Sequence, residues 1–127
     1  MDKKIINLII LIVVVLLLVG GAFYFLSMQE AKPGKLDQFA QCLKSKGLVF
    51  YGAFWCPHCQ NEKALFGNSK QYLPYVECST PDSSGQLQVC SDQKIEGYPT
   101  WHFPDGSKQE GEMTLQELST KSGCTLP

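Results

Sequence analysis

Between Ile5 and Leu26 lie 22 residues of which 19 are apolar, interrupted only by Asn7 and the Gly20-Gly21 pair. As a helix rising about 1.5 Å per residue the run would extend about 33 Å, enough to cross the hydrocarbon core of a bilayer. Lys3 and Lys4 precede it, and Phe23, Tyr24 and Phe25 cluster at its far end, where aromatic rings favour the headgroup layer. The reading is a signal anchor: residues 1–4 cytoplasmic, 5–26 a single transmembrane helix in the cell membrane, and everything after about residue 27 extracytoplasmic. The competing reading is a cleaved signal peptide, because Gly20-Gly21-Ala22 offers small residues. The apolar stretch is long for that, and three aromatics follow the cut.

Of 127 residues the remainder suffices for one domain and not two. Residues 27–35 (SMQEAKPGK) are polar with a Pro-Gly pair and read as a linker, so the folded domain is expected over 36–127. That stretch carries seven Lys against ten Asp and Glu, a net charge of −3, and gives no reason for attraction to anionic lipid. All 11 positive residues are Lys, so the bidentate fork that grips phosphate or base edges is missing and nucleic acid is not an expected partner. Six Cys in so short a chain suit disulfides in an oxidising compartment.

Leu36, Phe39, Ala40 and Leu43 fall at i, i+3, i+4 and i+7, one face of a helix that Gly47 can end. Residues 48–54 (LVFYGAF) are too apolar for an edge and read as a central strand covered on both faces. Pro57 then suits a first helical position, with Ala64, Leu65 and Phe66 as the apolar side. A strand over 73–78, a loop over 80–85, a short helix within 86–96 and a hairpin of 100–103 with 108–110 follow. Thr114 and Glu117 match a capping box, with Met113 and Leu118 as the staple, so a last helix is predicted over 115–122, capped by Gly123. The order describes an α/β sandwich without naming a fold. Phe50, Phe54, Tyr72 and Tyr75 read as core or core edge, and His102 as a strand histidine.

The chemistry lies in Trp55-Cys56-Pro57-His58-Cys59, a C-x-x-C where a buried strand becomes a helix. Two thiols so spaced can close a small disulfide ring, and the outer one faces unpaired N–H groups at the positive end of the helix dipole. His58, if protonated, adds a second charge favouring the thiolate; in such settings Cys pKa values fall from about 8.5 to about 3.5–7.5. A stabilised thiolate makes the pair a stronger oxidant. Cys56 is therefore cast as the attacked, exposed sulfur and Cys59 as the buried resolving one, with Pro57 and His58 tuning them. No bound cofactor is needed. Glu62 and Lys63 on the following helix are nearby charges that a solvated helix face explains equally well, so neither is assigned a catalytic role.

This chain resembles the thioredoxin fold in three features held in register: the strand ending Phe54-Trp55-Cys56, the CPHC itself, and Gly97-Tyr98-Pro99-Thr100 forty residues later. The resemblance implies an α/β thioredoxin-like fold preceded by one transmembrane helix, a cis Pro99 beside the disulfide, and Tyr98 pairing with an extended substrate by strand addition. Trp55 would pack beside the site. Many thioredoxins carry a buried, proton-shuttling acid six residues before the first active Cys; here that position is Phe50.

The blocks YGAFWCPHCQNEKALFG, LPYVECS, the distal Cys90 and IEGYPTW look like the thioredoxin-like domain or partner of bacterial vitamin K epoxide reductase family proteins. That resemblance implies cysteine-containing secreted or envelope proteins as partners, and reoxidation by a quinone-reducing vitamin K epoxide reductase-like membrane protein. It also implies a structural Cys78–Cys90 disulfide, against the alternative of a second redox pair. A Cys42–Cys124 bond would staple the domain's ends, but six Cys allow fifteen connectivities and spacing does not choose. The Pro57-His58 dipeptide resembles periplasmic Dsb-type oxidases and favours donation of disulfides over a reductant or an isomerase. A zinc or copper module is the alternative of another class: 18 residues separate Cys59 from Cys78, but Cys90 follows after eleven more instead of two.

Overall fold

The computed structural model describes residues 2–27 and 32–127. Residue 1 and residues 28–31, parts of the expected cytoplasmic N-terminus and linker, lie outside them. Two compact units result, residues 1–32 and 33–127. In the first, helix α1 (Lys3–Ser27) is long and apolar enough to span a membrane and buries none of its side chains.

The second unit begins three residues before the expected boundary. The Gly34 N–H donates to both carboxylate oxygens of Asp37 (3.1 and 3.0 Å), and Leu36 N–H donates to Ser69 Oγ (2.9 Å). These bonds tie Gly34 and Leu36 to the domain.

Helix α2 (Asp37–Ser45) buries Phe39, Ala40 and Leu43, the face its periodicity predicts. It leads to β1 (Val49–Gly52), then α3 (Pro57–Leu65), a 3-10 helix (Gly67–Tyr72) and β2 (Tyr75–Glu77). After α4 (Gln88–Asp92) come the hairpin strands β3 (Thr100–His102) and β4 (Lys108–Glu110), and α5 (Leu115–Ser122) closes the chain. The sheet order is β2-β1-β3-β4, with β1 parallel to β2 and antiparallel to β3. This is the thioredoxin fold, a mixed α/β sheet.

Strand alternation explains why β1 is apolar throughout, since each face of the sheet has its own core. Phe50 belongs to the larger cluster with Phe39, Leu43, Phe66, Trp101 and Leu118, and stacks on Trp101 at 4.9 Å. Its neighbour Tyr51 belongs to a smaller cluster with Cys78, Cys90 and Ile95. Trp101 is wholly buried, and its truncation to Ala would cost about 3–5 kcal/mol. Helix α5 starts with the capping box: Glu117 N–H donates to Thr114 Oγ1 (3.2 Å) and Thr114 N–H to Glu117 Oε2 (2.8 Å). Gly123 ends it at φ +72°, where a side chain would be strained.

Two sequence expectations fail here. Ala64 and Leu65 face solvent and only Phe66 of the expected apolar side of α3 is buried; the buried face is Cys59, Glu62 and Phe66. Those positions are spaced i, i+3, i+7, and a hydrophobicity scan skips the acid among them. Phe54 is about half exposed (46%) because β1 ends at Gly52 and the chain has left the sheet.

Candidate active site

The β1 strand ends directly beneath the Cys-x-x-Cys. Residues 53–55 turn the chain, Cys56 N–H bonding Ala53 O at 3.0 Å, and Cys56 becomes the N-cap of α3 with Pro57 at the first helical position. Proline's missing N–H costs nothing there, and Cys56 makes no side-chain capping hydrogen bond to the first turn. Cys56 and Cys59 are unbonded thiols. Cys56 is only 5% accessible and Cys59 not at all, so the sulfur expected to be exposed is in fact the less buried of two buried ones. What covers it is the opposing loop: the Cys56 thiol points at Tyr98 O (3.6 Å), the Tyr98-Pro99 peptide is cis, and Pro99 is buried.

Cys59 lies against the backbone of β1. A Cβ at position 52 would stand 2.9 Å from Cys59 Sγ and 2.9 Å from Tyr75 Cε2, so only glycine allows the close approach. Burial pushes the Cys59 thiol up to about 12; the Ala53 N–H opposes this, neighbouring Cys56 adds to it, and Lys63 offsets part. Lys63 Nζ sits 3.3 Å from the centroid of the Tyr75 ring, and burial lowers its pKa against the pull of Glu77. Tyr75 Oη donates to Glu77 Oε2 (2.6 Å), while Glu77 Oε1 accepts from Ser79 N–H (2.9 Å) and Phe54 N–H (3.2 Å). Burial pushes the Glu77 carboxyl up, but these bonds and Lys63 outweigh it and hold the group below the usual range.

His58 is turned to a partner that the sequence did not suggest. Its Nδ1 lies 2.6 Å from Glu112 Oε1, which also accepts from Asn61 Nδ2 (3.2 Å). These hydrogen bonds, that to His58 first, hold Glu112 below the usual carboxylate range. One residue on, Met113 N–H donates to Glu62 Oε2 (2.8 Å), and Trp101 Nε1–H donates to Glu62 Oε1 (3.1 Å). Glu62 is completely buried, and not on a solvated face; burial raises its pKa against those two bonds. The segment before α5 is thus fastened to α3 at the surface by Glu112 and in the core by Glu62.

Trp55 is half exposed, with its ring edge-on to Tyr98 (6.0 Å) and Nε1 donating to Ser79 Oγ (2.8 Å). Gln86 Nε2 in turn donates to Tyr98 Oη (2.7 Å) and Ile95 O (2.8 Å). Trp55, Tyr98 and Pro99 are therefore brought together with Cys56, Pro57 and Cys59. Sequence reasoning missed Glu62, Glu77 and Glu112; only Glu62 left a signal, its i+3 relation to Cys59.

The other cysteines are bonded, Cys78 to Cys90 and Cys42 to Cys124, with Cα–Cα distances of 5.6 and 5.9 Å. With Cys78 and Cys90 joined, the zinc reading loses its second pair of thiolates. Among the described residues no group of three or more His, Cys, Asp or Glu is placed to hold a metal ion.

A dithiol at a helix mouth, flanked by a cis proline on a mixed sheet, can trade its two hydrogens and a disulfide bond with another thiol pair, and that capacity defines a class of redox domains. The chain belongs to the thioredoxin family, whose profile matches residues 30–121. It is 42% identical over 92 residues to the thiol-disulfide oxidoreductase LTO1 of Arabidopsis thaliana, an alignment covering 68% of this chain and 24% of that protein. It is 33% identical over 97 residues to the thioredoxin domain-containing protein 5 homolog of Drosophila melanogaster, covering 65% and 22%. The chain spans about a quarter of the length of the curated relatives it matches.

Proposed function

We propose that this chain is a thiol-disulfide oxidoreductase, tethered to the membrane with its thioredoxin domain outside the cytoplasm, that donates disulfides to secreted or envelope proteins. The observation that carries the reading is the unbonded Cys56–Cys59 pair at the head of α3, with Cys56 the less buried sulfur and beside the cis Tyr98-Pro99 peptide. In the oxidised form, a substrate thiolate attacks Cys56 Sγ and the Cys56–Cys59 bond breaks, leaving a mixed disulfide and a Cys59 thiolate that takes a proton. A second substrate thiolate then attacks the substrate sulfur and releases Cys56 as a thiolate. The substrate loses two electrons and the Cys pair gains them.

Several features support the finer points. The name of the Arabidopsis relative specifies the chemistry. The length and apolarity of α1 suit an anchor, and Lys3 and Lys4 ahead of it suit a cytoplasmic N-terminus. Resemblance to the vitamin K epoxide reductase partners supports reoxidation by a quinone-reducing membrane enzyme of that kind. Tethering both proteins in one membrane would raise their effective concentration.

Equilibration of the pair with glutathione tests the direction. A potential well above about −270 mV, the thioredoxin value, is expected for a donor; one near it would make this a reductant instead. In cells, Cys59→Ala should accumulate Cys56 mixed disulfides with exported proteins and with the reoxidising enzyme. Mixed disulfides with cytosolic proteins alone would overturn the extracytoplasmic placement.

A further inference from the structure

The mechanism leaves a charge to be accommodated. Whichever way electrons flow, Cys59 passes through a thiolate at a completely buried position, and the residue six positions before Cys56 is Phe50, wholly apolar and stacked on Trp101. Glu62, the buried acid of α3, has both oxygens taken by Trp101 Nε1–H and Met113 N–H. Neither offers the Cys59 sulfur anything.

Lys63 does. It is four residues beyond Cys59, the spacing that stacks side chains on one helix face. A lysine so placed would ordinarily extend into water. This one is half-buried and held over the Tyr75 ring at 3.3 Å. Because a Cβ at position 52 would be 2.9 Å from both Tyr75 Cε2 and Cys59 Sγ, those two atoms are at most twice that distance apart. The ring that seats the ammonium is therefore a close neighbour of the sulfur. Tyr75 is itself fixed by its 2.6 Å bond to Glu77, which is pinned by the Phe54 and Ser79 amides.

We propose that Lys63, braced over Tyr75 by Glu77, supplies the positive charge that stabilises the Cys59 thiolate as the Cys56–Cys59 bond opens and closes. This rests on the oxidoreductase reading. In the closing step, Cys59–SH gives its proton to water or buffer and the thiolate attacks Cys56 Sγ of the mixed disulfide. The Cys56–Cys59 bond forms, the bond to the substrate sulfur breaks, and the substrate leaves as a thiolate. Tyr75 and Glu77 are positioning residues. The ionisable groups acting on Cys59 are Cys56, Lys63 and, across β2, Tyr75; on Lys63 they are Glu77, Cys59 and the like-charged Lys70.

The test uses the full reduced chain in mild detergent, mixed with oxidised glutathione and acid-quenched for mass spectrometry between pH 6 and 9. Two steps are read separately: attack by Cys56 to give the glutathione adduct, and its resolution by Cys59. Removing a neighbouring positive charge raises a thiol pKa, and below the pKa each unit is about tenfold in thiolate. Lys63→Gln should slow resolution about tenfold at pH 7, shift its pH–rate line about one unit alkaline, and leave adduct formation within about twofold; Lys63→Arg should restore most of the rate. Resolution within twofold of wild type, or equal slowing of both steps, overturns the proposal. A wild-type chain that forms no adduct, or never resolves it, instead overturns the oxidoreductase reading.

Discussion

The Cys56–Cys59 and Cys78–Cys90 pairs are built from sulfurs that are almost equally hidden, with accessibilities of 5%, 0%, 0% and 0%. Their surroundings differ. Cys78 and Cys90 lie in a cluster with Tyr51 and Ile95, and their sulfurs lie 3.9 Å from the Val76 and Glu77 carbonyls respectively. Cys56 and Cys59 lie at the N-terminus of α3, the positive end of its dipole, with Lys63 on the next turn and the Tyr98 carbonyl 3.6 Å from Cys56 Sγ. Burial alone does not make a sulfur inert. Charge and dipole at the sulfur decide whether its thiolate is accessible, and hence whether the bond it forms is a staple or a reagent.

That contrast is broken most severely at the third pair. Cys42–Cys124 closes a loop of 82 residues, tying α2 to the segment after α5. By the chain-entropy account it contributes about 4.5 kcal/mol, so Cys42→Ser with Cys124→Ser should lower stability by about that much in urea unfolding of the full chain in detergent. Glutathione exchange at Cys56 should continue in whatever remains folded. Loss of exchange in the folded variant would mean that the staple shapes the site.

The Cys78–Cys90 loop has a sequence separation of 12, and its removal should cost about 3 kcal/mol. Replacing Cys56 and Cys59 together by Ser should cost less than either staple, since the pair is already unbonded and folded. A graded reductant applied to the oxidised protein should open Cys56–Cys59 first, with the staples resisting until below about −300 mV. Simultaneous opening of all three would erase the distinction.

Much of this arrangement can be read without coordinates, and the limits have physical causes. Leu36, Phe39, Ala40 and Leu43 announce α2 because a packed helix repeats on its own face, and Thr114 with Glu117 announces α5 because a cap is a local bond. The unbroken apolarity of β1 reflects a core on each side of the sheet. Distance defeats the same reasoning elsewhere. His58 meets Glu112 across 54 residues and Phe54 meets Glu77 across 23, and no periodicity encodes either meeting. Glu62 reads as a surface acid because its two donors, Trp101 and Met113, come from elements placed only by the fold. The pairing of Cys42 with Cys124 needs the spatial approach of two ends, which spacing leaves as one choice among fifteen.

The smallest effect separates the two carboxylates on either side of the redox pair. Glu62 is raised by burial, so its neutral form is favoured in the folded chain; the stability this contributes is complete below the unfolded carboxylate pKa of about 4.3 and is lost as pH rises through the folded value. Glu77 is lowered because its hydrogen bonds and Lys63 outweigh burial, so its contribution is present above the unfolded pKa and lost as pH falls through the folded value. Stability measured from pH 4 to 7 should therefore fall with pH in wild type relative to Glu62→Gln, by at most about 1.4 kcal/mol per pH unit. Relative to Glu77→Gln it should rise. Parallel slopes for the two variants would mean that Glu62, despite its burial, is held ionised by Trp101 and Met113, and that the core beneath the dithiol carries a charge that the Cys78–Cys90 cluster lacks.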